Sequence, residues 1–166
     1  MKLLTSYFFA IRYMPSYFLP ISTAVWDPKW FHNFKSSRHV FLDKRNVLNG
    51  LRCEPLVPGK SCQGLCCGAP CDYFPTTCEF LKRYSSQLEA INRDDFVQRL
   101  DRLKGAAADY LNKEKTILDS TLFGGDLQPV FMFHETPENP CSERRPFTKW
   151  ASQFADVEEF DWRNYL

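Results

Sequence analysis

The apolar positions of this chain first alternate, then lose their period, then settle into helical spacing. From Leu3 to Phe9 the alternation predicts a strand beginning at Lys2, and Leu19 to Val25 (Leu-Pro-Ile-Ser-Thr-Ala-Val) predicts a second. Pro15 breaks the connection between them, and Pro28 interrupts the aromatic stretch Trp26 to His32 that follows. Residues 33–61 keep no sustained period, and Asn49-Gly50 and Pro58-Gly59 are turn signals. Beyond Cys78 the stripe Phe80, Leu81, Tyr84, Leu88 and Ile91 predicts a helix. Asp94-Asp95 open a second helix, placed where acidic residues favour the helix dipole, with Phe96, Val97, Leu100, Leu103, Ala107 and Leu111 on its inner side. Gly124-Gly125 precede a short apolar run, Pro129 to His134, read as a buried strand. A helix over about 147–154 and an edge strand from Val157 to Trp162 complete the pattern.

The order β-β-(cysteine module)-α-α-β-α-β predicts one α/β domain spanning 1–166, in two or three layers. The expected architecture is a small sheet of about four strands packed by helices. A Cys-rich insertion at 53–78 lies within it.

Composition narrows the classes. At 166 residues the chain is long enough for one sizeable core. Its net charge of +1 gives no strong electrostatic signal for nucleic acid. No apolar run approaches a membrane span, and no small-x-small cleavage site follows the N-terminal Lys2 to Arg12 stretch, so a cytoplasmic protein with no membrane partner is expected. Fifteen Phe, seven Tyr and four Trp are mostly assigned to the core; only the Trp26 to His32 loop is kept as a ligand surface for a base or sugar.

Six of the seven cysteines fall between Cys53 and Cys78. An odd number, with Cys66 and Cys67 adjacent, suits a disulfide framework poorly and a reducing compartment better. Cys62, Cys66, Cys67, Cys71 and Cys78 are the expected metal ligands, with Cys53 a bystander. Soft thiolates in a loop rich in glycine and proline suit a structural zinc ion, or alternatively an iron–sulfur cluster. Free buried thiols are the plain alternative.

The second informative segment runs from the strand near 130 into the last helix. In open α/β sheets ligands sit beyond the carboxyl ends of strands, where His134 and Glu135 are expected. Cys141 and Ser142 fall near the start of the next helix, where free N–H groups favour anions, and Arg144 and Arg145 add anion-binding capacity. His134-Glu135 reads as an acid–base pair, with Asp27 and Trp26 facing the same pocket. The plainer alternatives are a capping Ser142, a solvated Glu143–Arg144 pair, a structural His134 and Cys141 as a fourth metal ligand. Position 147 is Phe, so the C-x5-R loop of cysteine phosphatases is absent, as are a GxGxxG, a P-loop and an HExxH.

The segments Leu4-Thr5-Ser6-Tyr7-Phe8, Leu19-Pro20-Ile21-Ser22 and Pro28-Lys29-Trp30-Phe31, with His134-Glu135-x-Pro-x-Asn139-Pro140-Cys141-Ser142-Glu143-Arg144, form a recognisable set. Together with the stretch from Cys78 to Leu88, they resemble an uncharacterised "domain of unknown function" family of bacterial and phage genomes. The resemblance covers most of the chain. It implies a small α/β domain with Glu135, Cys141 and Arg144 as a site, and by analogy a role in nucleotide or nucleic-acid metabolism.

The expected function is thus a metal-binding α/β protein whose pocket takes a small phosphorylated or nucleotide ligand. Glu135, Cys141, Arg144 and His134 would carry its chemistry, and Ser142, Arg145, Asp27 and Trp26 would bind the ligand. The competing reading is a non-enzymatic interaction or regulatory protein, phage or bacterial, stabilised by a zinc loop and binding a protein partner.

Overall fold

A computed structural model describes residues 1–35, 39–65, 78–114 and 126–166. The strands are β1 (Lys2–Tyr7), β2 (Phe18–Ser22), β3 (Phe41–Leu42), β4 (Leu48–Asn49), β5 (Leu51–Arg52), β6 (Gln128–Phe133) and β7 (Asp156–Glu159). The α-helices are α1 (Glu79–Glu89), α2 (Arg93–Glu114) and α3 (Arg144–Ala151). Five strands form one wholly parallel sheet in the order β5-β2-β6-β1-β7, and β3 pairs antiparallel with β4. The architecture is the α/β one expected, with five strands in the main sheet rather than about four. The additional strand, β5, pairs through only Ile21–Leu51 and Ser22–Arg52, too short to leave a period in the sequence.

Parallel strands covered on both sides are mostly apolar on both sides, as the central strands β2, β6 and β1 are here. Leu3 of β1 and Phe131 and Phe133 of β6 join one core with α1, α2 and α3. Their alternates Leu4, Val130 and Met132 join a second core with Phe8, Ile11 and Met14 of the β1–β2 connection and with Phe31. The sheet is therefore the middle of three layers. One outer layer is α-helical; the other is built on the 3-10 helices Phe8–Tyr13 and Lys29–Phe31.

The connections make a crevice. From β1 the chain crosses β6 toward the β5 edge on the 3-10 face, whereas from β6 it crosses β1 toward the β7 edge through α3 on the helical face. Opposite travel on opposite faces is what one crossover hand requires. Loops leaving neighbouring strands on opposite sides open a gap above their carboxyl ends, here above β2, β6 and β1.

Local chemistry sets several boundaries. β2 ends at Ser22 rather than Val25, because the Ser22 hydroxyl accepts from the Ala24 N–H at 3.2 Å and turns the chain out of the sheet. α3 starts at Arg144 rather than near 147; Pro146 lies in its first turn, where a missing N–H loses no intrahelical bond. β7 ends at Glu159, and a 3-10 helix takes over at Trp162–Tyr165. Gly50, with φ at 94°, links β4 to β5, and an added Cβ would lie 2.3 Å from the His39 carbonyl oxygen, so only glycine fits.

α1 ties the 53–62 loop to the core. The fully buried Tyr84 donates its hydroxyl to the Leu56 carbonyl at 2.6 Å. Gln87 donates to the Val57 and Pro55 carbonyls at 2.7 and 3.0 Å and accepts from the Gly59 N–H at 2.8 Å. A loop with few apolar residues is thereby held by its backbone polar groups. No helix among the described residues is long and apolar enough to cross a membrane.

Candidate functional site

Two polar clusters sit at the carboxyl edge. The first is built from the β6–α3 loop and the end of β7. Arg144, the first residue of α3, is only 7% exposed, and its guanidinium packs 5.4 Å from the centre of the Phe133 ring. Its Nη2 donates to the Glu135 carbonyl at 3.1 Å. Its Nε lies 3.1 Å from Glu159 Oε2, an ion pair whose N–H is not aimed along the contact, and its Nη1 is buried with no acceptor among the described residues. Glu159 is held in turn by the Thr5 hydroxyl at 2.6 Å.

Two further carboxyl groups face this cation. Glu135 Oε2 and Glu143 Oε2 are both buried, and neither receives a hydrogen bond from a described donor. Burial, and then the neighbouring Glu135 charge, push the Glu143 carboxyl up to about 8, so Glu143 is protonated at neutral pH and its proton can serve the Glu135 carboxylate. Burial pulls Arg144 down from its ordinary value while the surrounding carboxylates hold it up. A buried guanidinium N–H without an acceptor, beside a carboxyl pair that shares one proton, is a donor open to a polar ligand.

The second cluster lies at the end of β2, on the side of the sheet to which Ser22 points. The Asp27 carboxylate, 3% exposed, accepts from the Ser22 hydroxyl and is bonded to His32 Nε2, and Arg52 Nη1 donates to it at 3.1 Å. Arg52 also reaches Glu54 at 2.9 Å. This is a carboxylate gripped by three donors from three separate segments.

The structure thus brings Glu135 and Arg144 together, as expected, and adds Glu143 to them. Ser142 is buried and its hydroxyl accepts the Arg144 N–H at 3.2 Å, so it fixes the entry to α3. Cys141, half-buried, precedes it, its N–H given to Asn139 Oδ1 at 2.9 Å. Arg145 is exposed at the same helix start. His134 is exposed and makes no hydrogen bond with Glu135 among the described contacts, so the expected acid–base pair does not form between them. Asp27 has turned to Ser22, His32 and Arg52 instead of the Arg144 group, and Trp26 is 83% exposed. The solvated Glu143–Arg144 pair is not what forms: both residues are withdrawn from water.

Of the cysteines, Cys66, Cys67 and Cys71 lie outside the described residues, as does Gly124-Gly125. Cys62 and Cys78, at the two ends of that loop, are both buried in the helical-face core without disulfides, as is Cys53. Cys62 Sγ lies 3.7 Å from Gln87 Oε1. Burial pushes the Cys53 thiol up to about 11, which keeps it protonated. Among the described residues no three His, Cys, Asp or Glu side chains are grouped as a metal site.

Glu143, Glu159, Thr5, Ser22 and Arg52 are site residues that the sequence pattern did not single out. Ser22, Arg52 and Glu159 each end a strand of the parallel sheet, and that position was the available signal. Comparison of the chain with family models, curated proteins and solved structures finds no match.

Proposed function

We propose that this protein binds a small anionic ligand at the crevice around Arg144 and that Glu143 and Glu135 hold one exchangeable proton beside it. The observation that carries this reading is the buried Arg144 Nη1, left without an acceptor among the described residues. The α3 N-terminus and exposed Arg145 add positive potential. With Glu143 protonated, Arg144 and Arg145 balance Glu135 and Glu159, and the exposed Glu138 on the rim is screened by water. An incoming phosphate or carboxylate then meets little net repulsion, and Glu143 is placed as a general acid with Glu135 as its base partner. A role in nucleotide metabolism fits a site of this kind.

The test uses inorganic phosphate and acetate as probes. Each should raise the melting temperature at pH 6.5 beyond the effect of sodium chloride at equal ionic strength, and Arg144→Gln should abolish the rise. Absence of any specific rise in the parent protein would defeat the reading.

We further infer that the segment from Cys62 to Cys78 holds a structural zinc ion, with an iron–sulfur cluster as the alternative. The supporting observation is that both ends of a five-thiol segment are anchored in the core. Two buried thiols are too few by themselves for a four-ligand structural zinc site, so two of Cys66, Cys67 and Cys71 would complete the ligand set. Elemental analysis and an absorption spectrum of freshly purified protein decide it: colourless protein with about one zinc per chain supports zinc, and less than about 0.2 metal per chain sinks both.

The exposed Trp26 and Phe34 favour a second reading, in which that surface docks a protein partner and no reaction is catalysed.

A further inference from the structure

On the 3-10 side of the sheet, away from Arg144, lies a cleft of about 500 Å³. Its walls include Phe8, Phe9, Trp30, Arg12 and Arg45, and Asn49 also lines it. We infer that this cleft binds a purine nucleotide, with the ring against Trp30, an N–H of the base on Asn49 Oδ1 and the phosphate on Arg12.

Three independent features point to that chemistry. The first is an aromatic wall left open: Trp30 is 54% exposed although Phe8, which it meets edge-on at 6.4 Å, is buried. Flat apolar faces at a cleft accept a planar ring by stacking. The size agrees, since small-ligand clefts commonly start at about 300 Å³.

The second is an orphan acceptor. Asn49 is 2% exposed, and its Nδ2 donates to the Val47 carbonyl at 3.1 Å, which fixes the amide orientation. Its Oδ1 is then buried with no donor among the described residues. A buried carboxamide oxygen left bare is costly, and a ring or exocyclic N–H of a base supplies the missing donor.

The third is the charge. Arg45 is bound to Asp43 at 2.8 Å, but Arg12 pairs with no carboxylate among the described residues. Its guanidinium instead lies 3.8 Å from the centre of the Phe9 ring. Stacked there it is oriented with its N–H edge available, the geometry in which arginine binds phosphate through two parallel bonds. Ring, donor and anion together describe a nucleotide better than they describe an apolar peptide or a lipid.

The test is isothermal titration of the full chain with GMP, AMP, guanosine and purine riboside monophosphate, whose base has no N–H. GMP or AMP should bind with Kd below about 1 mM. Arg12→Ala and Trp30→Ala should each weaken binding about tenfold, a change of roughly 1.4 kcal/mol. Guanosine should bind the parent and Arg12→Ala equally, because it lacks the group Arg12 holds. Purine riboside monophosphate should bind at least about tenfold more weakly than AMP, which isolates the Asn49 contact without altering a buried residue. Arg144→Gln should leave all these affinities unchanged. No binding by the parent, or affinities indifferent to both Arg12→Ala and Trp30→Ala, overturns the inference. Binding lost in Arg144→Gln but kept in Arg12→Ala also overturns it, and places the nucleotide in the crevice instead. Failure of phosphate to stabilise the crevice leaves this cleft untouched.

Discussion

Arg144 Nε lies 3.1 Å from Glu159 Oε2, joining the start of α3 to the end of the edge strand β7. β7 is four residues long and pairs only with β1, so this contact and the Thr5 hydroxyl bond reinforce its carboxyl end, where the Phe160 N–H donates to the Thr5 carbonyl at 2.8 Å. Removing the cation leaves Glu159 without its ion pair and the Glu135 carbonyl without its donor. Arg144→Ala is expected to destabilise the fold by on the order of 3 kcal/mol, less than for a pair buried on both sides because Glu159 is about one-third exposed. Arg144→Lys should recover only part of it, since an ammonium cannot meet Glu159 and the Glu135 carbonyl in one plane. Urea unfolding of the three proteins measures this, and a loss below about 0.5 kcal/mol for Arg144→Ala would show that the ion pair is not structural.

Glu143 gives the protein a pH dependence of defined sign. The unfolded chain releases this proton near 4.5, whereas the folded chain keeps it to about 8. Between those limits the native state binds more protons, so this group makes stability fall as pH rises, and the decline levels off above about pH 8. Glu143→Gln keeps the hydrogen-bonding shape of the neutral acid and cannot ionise. Its melting temperature should fall less than the parent's between pH 6 and pH 8.5. The phosphate-induced rise should also fade in the parent through that range, as Glu143 adds a further carboxylate beside Arg144, and persist in Glu143→Gln. Parallel melting curves for the two proteins across the range would contradict both expectations.

The elements that were legible in the sequence are those with a long period. α1 and α2 were marked by five or more apolar positions each, and β1, β2 and β6 by runs buried on both faces. β5 was not, because two paired residues carry no period. At the site, Glu135 and Arg144 were legible from strand-end and helix-start logic, but Glu143 was not. An acidic residue next to an arginine reads as a surface pair, and only the packing of α1 on α3, with the fully buried Tyr84 nearby, withdraws it from water. Asp27 and the nearby His32 were legible as one loop, whereas Ser22 and Arg52 were not, because only the parallel pairing of β2 with β5 brings those two together.

Tyr84 anchors the thiol-bearing loop by one bond. Its hydroxyl is fully buried and donates to the Leu56 carbonyl at 2.6 Å, and burial holds its proton well above the ordinary phenol range. Tyr84→Phe keeps the ring and leaves that carbonyl bare, so a loss of about 1–2 kcal/mol is expected. Gln87 continues to hold Pro55, Val57 and Gly59, which should confine the effect to the loop. Hydrogen exchange should therefore quicken over 54–62 in the variant while β1 and β6 stay protected. Uniform acceleration across the sheet would mean that the loop and the core open as one unit.

The Asp27 cluster makes the most direct test of an interaction assembled by topology alone. Three donors converge on one carboxylate that is almost fully enclosed, and Arg52 reaches it only because β5 lies beside β2. Asp27→Asn preserves the shape but removes the charge and turns one oxygen into a donor facing donors. It is expected to cost about 3 kcal/mol in urea unfolding. Arg52→Met alone should cost less, because Arg52 is one-quarter exposed and Asp27 keeps Ser22 and His32. In the double variant the two losses should fall short of their sum by about 1–2 kcal/mol, the coupling between residues in direct contact. Losses that add within about 0.5 kcal/mol would mean that the Asp27–Arg52 contact contributes nothing of its own and that the cluster is held by Ser22 and His32.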